Sequence, residues 1–136
     1  MIWWELVDSL TTQLATSAPK AVITIGAAGD VPRVATIRVR PDADTNPDSV
    51  MTAPYRGQCS LRLECWTQDA ADPSVAYQAL AELNDACLQG LREWRPTGIT
   101  VVDITAVVTF DEDLFRPSVG NLLTLTVQWQ RTDLFA

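Results

Sequence analysis

The chain has 136 residues, 47% of them hydrophobic and 20% charged, and carries a net charge of −7. That length suits one domain with one well-formed core, and the composition is globular and not disordered. The acidic balance excludes a protein whose main task is gripping phosphate backbone, which needs a concentrated positive face.

Residues 2–17 read as an amphipathic helix. Trp3, Leu6, Val7, Leu10 and Leu14 fall within one arc at 100° per residue, while Glu5, Asp8, Thr12 and Gln13 fall outside it. Trp4 lies at the edge of the stripe, either a rim residue half covered by the sheet or a contact for another chain. Ser17-Ala18-Pro19 ends the helix, because the residue before a proline avoids the helical region. A short β-rich run follows at 21–25, then a turn. Residues 33–40 alternate, with Ala35, Ile37 and Val39 on one face and Thr36, Arg38 and Arg40 on the other. The stretch PDADTNPDSVMTAP, residues 41–54, has no period and reads as a long loop, either plain slack between strands or a functional segment mobile in the free subunit and ordered in an assembly.

The clean alternation at 55–66 sends Cys59, Leu61, Leu63 and Cys65 one way and Arg56, Gln58, Ser60, Arg62, Glu64 and Trp66 the other. Asp72-Pro73 is a helix start, with the aspartate as N-cap and the proline in the first turn. The helix to about Trp94 is expected to bury Ala76, Tyr77, Leu80, Leu83, Cys87, Leu88 and Leu91, with Asn84 hydrogen-bonded in the core. Two strands close the chain, at 99–110 and 122–131. The order is therefore α-β-β-β-α-β-β. It implies an α+β fold: an antiparallel or mixed sheet of about five strands with both helices packed on one face. The other face would carry Arg38, Arg40, Arg56, Arg62, Thr124, Thr126 and Gln128, polar enough for water or a partner.

Catalytic chemistry finds little to work with. There is no histidine to serve as a base, and the single lysine, Lys20, has no partner motif. The three cysteines, Cys59, Cys65 and Cys87, lack metal-site spacing and fall on apolar faces, as small core residues do. Asp111, Glu112 and Asp113 lack the spaced pattern of a calcium loop. No enzyme, metal or cofactor is expected. No apolar run approaches the roughly eighteen residues of a membrane span, and the N-terminus has no basic-then-apolar signal, so assembly in a cytosol away from membranes is expected.

Surface features remain. Trp4, Trp66, Phe115, Leu134 and Phe135 are large apolar groups at edges, tips or a terminus. The loop of Asp111, Glu112, Asp113 and Phe115 is acidic and aromatic-tipped, whereas Arg38, Arg40, Arg56 and Arg62 cluster on one parity of two strands. A subunit with one acidic loop and one basic face can associate head to tail, and Phe115 would anchor a contact that the charges orient; the alternative is that the three acids only keep a hairpin tip soluble.

The layout of nearly the whole chain resembles the tail terminator family of long-tailed bacteriophages, the tail completion or minor tail protein U-like proteins. The opening helix, the long loop, YRGQCSLRLECWTQDAADPSVAYQALAELNDACLQGL and the closing hairpin VVTFDEDLFRPSVGNLLTLTVQWQR carry the likeness. The resemblance implies a virion protein of the tail or neck, a homo-oligomer forming a hexameric ring. Such a ring caps the tail tube protein, ends its polymerisation and offers a surface to a head completion or connector protein, with DNA passing through the lumen ungripped. The alternatives are another neck or head–tail connector protein, and a small-molecule-binding α+β domain with a deep apolar pocket.

Overall fold

The computed structural model describes residues 2–26, 34–45, 51, 53–67, 72–110 and 119–133. Two helices, α1 (Ile2–Ser17) and α2 (Pro73–Glu93), accompany five strands: β1 (Val22–Ile25), β2 (Thr36–Thr45), β3 (Tyr55–Thr67), β4 (Thr100–Thr109) and β5 (Val119–Arg131). The strands form one mixed sheet in the order β1-β2-β3-β5-β4, with β1 parallel to β2 and the other pairs antiparallel. The expected α+β order holds.

The core follows from alternation. Ile37 and Val39 of β2, Cys59, Leu61, Leu63 and Cys65 of β3, and Leu123, Leu125 and Val127 of β5 are all fully buried on one face. That face meets Leu6, Val7, Leu10 and Leu14 of α1 and Leu80 and Cys87 of α2. Helix α1 lies against β1 and β2, and α2 against β3 and β5. At roughly 1.5–3 kcal/mol for each large apolar side chain, this layer supplies most of the driving force for folding.

Local signals set the ends of α2. Asp72 is extended and its carboxylate accepts from the Ser74 amide at 3.0 Å, leaving proline at the first helical position, where no amide is needed. At the far end Arg95 donates to the carbonyls of Arg92 and Trp94, and Gly98 supplies a turn at φ +76°. The Trp94 indole is buried and donates to Ser9 Oγ at 2.9 Å, joining the end of α2 to α1. Asn84 is paired inside the molecule as expected: its amide and that of Asn121 exchange hydrogen bonds of 3.1 and 2.6 Å between α2 and β5.

Three expectations need correction. The loop reading of 41–54 is too long, because β2 continues through Pro41 to Thr45. Strand β1 stops at Ile25, opposite Val39, so among the described residues β2 is an edge strand from there onward, and its register also shifts between Pro41 and Ala43. An edge with a bulge is where a strand tolerates proline. Asp42 holds the bulge by accepting from Ser60 Oγ at 3.0 Å and from Arg62 Nη2 at 3.3 Å. The remaining residues 46–50 and 52 lie outside the described residues. Second, Tyr77 and Leu88 are exposed, because they sit at the margins of the α2 stripe, and Leu83 is only partly buried. Third, β5 begins at Val119, three residues earlier than the alternation indicates, since Gly120 and Asn121 still pair with Trp66 and Cys65.

One contact in the helical layer was not apparent from the periodicity. Gly90 faces Ser17, and a β-carbon placed on it would lie 2.5 Å from Ser17 Oγ and 3.1 Å from Ser17 Cβ. The glycine allows α2 to close on the end of α1. Gly90→Val is expected to cost about 1–3 kcal/mol by overpacking. Urea denaturation of the variant against the parent chain checks this.

Candidate assembly surface

The four arginines proposed for a contact face do share the sheet face away from the helices, but they differ in environment. Arg38 is buried, its guanidinium 4.6 Å from the ring centroid of Trp66 and 3.8 Å from Glu64 Oε2. Arg40 donates to Glu64 Oε1 at 2.6 Å. Glu64 is therefore held between two guanidinium groups, and register explains why: it stands directly across from Arg38 and diagonally from Arg40. Arg62 is paired with Asp42 at 3.3 Å. Arg56 is exposed at the rim of a shallow depression of about 390 Å³ shared with Gln58, Gln128 and Gln130.

The sheet face is thus less open than its sequence indicates. Thr36, Arg38, Glu64 and Trp66 on this side are all buried. Three of the four arginines already have carboxylate partners within the chain, from Glu64 and Asp42. Asp111, Glu112, Asp113 and Phe115, the acids and the anchor expected to meet those arginines, lie outside the described residues. So do Leu134 and Phe135.

Sequence reasoning missed a different surface, the outer strand β4. It carries one charge, Asp103, in ten residues. Val102, Val107 and Val108 on β4 and Phe110 just beyond it are 60%, 53%, 43% and 63% exposed. Alternation sends those side chains to both faces, and they are exposed because β4 is the outermost strand and the helices end over β5. A bulge between Val101 and Asp103 adds Val102 as an extra residue. Edge strands normally carry lysine, proline or an inward charge that blocks further pairing. The stretch from Ile104 to Thr109 has none of these. The signal in the sequence is this absence of charge, which an alternation count reads only as a buried strand.

The remaining chemistry is sparse. Among the described residues no group of three His, Cys, Asp or Glu side chains is placed to hold a metal ion. The cysteines are fully buried, with Cys65 Sγ and Cys87 Sγ 3.9 Å apart. The Cys87 thiol and burial together push the Cys65 thiol well above its ordinary range, which makes it a poor nucleophile. A groove of about 520 Å³ beside the end of α1 is lined mainly by small apolar groups such as Ala18, Pro19, Ala35, Ala79 and Ala86, with Ser17, Lys20, Thr67 and Glu82 among them. No helix is long and apolar enough to cross a membrane among the described residues.

No family model and no curated protein matches the sequence. Among solved structures, a chain from the virion of a native gene transfer agent particle is similar, at 16% identity over 94% of this chain and 95% of that one, with a TM-score of 0.48. A second solved chain is similar at 14% identity over 99% of this chain and 96% of that one, with a TM-score of 0.46. Likenesses at this level assign no function.

The Glu64 cluster has a direct consequence for stability. Removing the carboxylate leaves two guanidinium groups facing each other, one of them buried. Glu64→Gln is expected to destabilise the fold by about 3 kcal/mol, the scale for breaking a buried ion pair. Thermal and urea unfolding at neutral pH measure it, and Arg56→Gln, an exposed change on the same strand, is expected to shift stability far less.

Proposed function

We propose that this chain is a structural protein of a phage-like particle, a tail terminator whose copies form a hexameric ring on the end of the tail tube. The single observation that carries the reading toward assembly is the uncharged, exposed edge of β4 with Val107, Val108 and Phe110. Several large apolar groups on one open strand favour a contact surface over a solvated one. The layout resemblance to tail terminators supplies the kind of assembly. In this reading the ring stops tube growth, and its free side receives the head completion or connector protein.

The charge fits the same picture. At −7 overall, a ring wall repels the phosphate backbone and lets DNA pass without being held. Lone exposed ion pairs contribute only about 0–1 kcal/mol each. Acids such as Asp111, Glu112 and Asp113 would therefore orient a contact with Arg56 and its neighbours, while Phe115 and the β4 edge supply most of the affinity. Arg38, Arg40 and Arg62, already paired within the chain, would act in such a contact only through their exposed edges. Multivalency then closes the ring on its tube, even when each seam is weak.

Sedimentation and negative-stain microscopy test this with the purified chain, alone and with tail tubes purified from its own particle. The chain alone is expected to sediment as a monomer, and rings are expected on tube ends. Phe115→Ala is expected to reduce end occupancy more than Asp111→Asn, with the circular dichroism of both variants unchanged. Bare tube ends at saturating chain would sink the reading.

A further inference from the structure

One row of paired residues crosses the whole sheet. Ile25 on β1 pairs with Val39, Val39 with Leu63, Leu63 with Leu123, and Leu123 with Val108 on β4. The three inner members are fully buried, whereas Ile25 and Val108 at the two ends are 40% and 43% exposed. All five side chains belong to the helix-bearing face. An apolar layer that is complete in the middle is thus cut off at both edges at the same level.

The two edges match in other ways. Strand β1 reads VITI and the regular part of β4 reads ITAVVT, with no charge in either. Val22 on β1 is exposed, as are Val107 and Phe110 on or beside β4. Strand directions also fit. β1 runs with β2, and three successive antiparallel pairings separate β2 from β4, so β1 and β4 run in opposite directions. A second copy set beside the first, turned only by the rotation that closes a ring around an axis along the strands, therefore brings its β4 antiparallel to β1. No slip along the strands is needed to place its Val108 level with Ile25.

We propose that the seam between neighbouring subunits is β4 of one copy added to β1 of the next, with Val108 of the first against Ile25 of the second. This rests on the ring reading above and names its partner surfaces. The available area selects a ring over a pair. The four residues of β1 span about 13 Å of edge, and a sheet about 10 Å thick then offers a cross-section of only ~130 Å². A stable pair buries roughly 800 Å² on each partner. One such seam does not hold a dimer, but a closed ring gives every copy two. The contact is heterologous, with different surfaces on its two sides, as ring closure requires. The competing arrangement is β4 against β4 of a two-fold mate, which uses a longer edge but consumes it and stops at two copies.

Cysteine cross-linking separates the possibilities. The native Cys59, Cys65 and Cys87 are fully buried, so a short bismaleimide reads introduced thiols against the parent chain as background. Ile25→Cys, Val108→Cys and the double variant are treated at high concentration on purified tail tubes, with sedimentation run in parallel. The double variant is expected to give a ladder of trimers and larger species ending at a closed ring, and neither single variant is expected to cross-link. A product that stops at the dimer, or one that forms with Val108→Cys alone, overturns the seam in favour of β4 on β4. Assembly by sedimentation without cross-links overturns the seam and leaves the ring standing. If the chain neither assembles nor cross-links, the seam and the ring reading fail together.

Discussion

β3 and β5 pair along thirteen residues, and the alternate side chains they send to one face meet α1 and α2 in a fully buried layer. Two helices side by side, at 8–10 Å between axes, make a cover about as wide as the inner strands and no wider. Helix α1 takes the β1–β2 side and α2 the β3–β5 side, which leaves β4 hydrogen-bonded to β5 but without a helix above it. That limit on cover shapes the rest of the molecule. It makes β4 an apolar strand exposed along most of its length, with only Val101 and Ile104 partly buried against the core, and it leaves Ile25 and Val108 as open ends of a row that is buried everywhere else. Exposure of Val107, Val108 and Phe110 forgoes part of the roughly 1.5–3 kcal/mol that burial of each would give. The same free energy is available to whatever covers them.

The opposite face of the sheet solves a different problem. It carries more positive charge than a −7 chain would be expected to gather in one place, and it neutralises much of it internally. Glu64 sits between Arg38 and Arg40, Asp42 answers Arg62, and Trp66 receives the Arg38 guanidinium on its ring. Such a network fixes the β2–β3 register with directional contacts, whereas an open basic face would leave the guanidinium groups free for phosphate. The arrangement therefore weakens the case for charge as the main adhesive between subunits and strengthens the case for the apolar edge.

The architecture was largely legible in the sequence. Periodicity located α1 to the residue, Asp72-Pro73 located the start of α2, and the alternation in β3 and β5 named the buried side chains. What it could not supply came from neighbours in space. Pro41 looks like a breaker, but it is harmless where β1 has ended and the register shifts. Tyr77 and Leu88 look like core, yet the stripe they flank is narrower than a helical wheel allows. Gly90 is an ordinary small residue until Ser17 is seen against it. The contact surface was the hardest part to read. Glu64 appears as one more polar position of β3 until Arg38 and Arg40 are found on either side of it. The open edge of β4 depends on strand order, which no pattern within a single strand reveals. Asp111, Glu112, Asp113 and Phe115, the acids and the phenylalanine singled out in the sequence, lie outside the described residues.

The central claim is that the free edge of β4 becomes a paired strand in the assembled particle. Amide hydrogen exchange measures this directly, since every second amide of an antiparallel edge strand points away from its one neighbour. In the isolated chain the outward amides of β4 should exchange quickly while those facing β5 are protected. On tube-bound chain the outward amides nearest Val108 should become protected, together with the outward amides of β1. Unchanged rapid exchange along β4 in the assembled state would contradict the account.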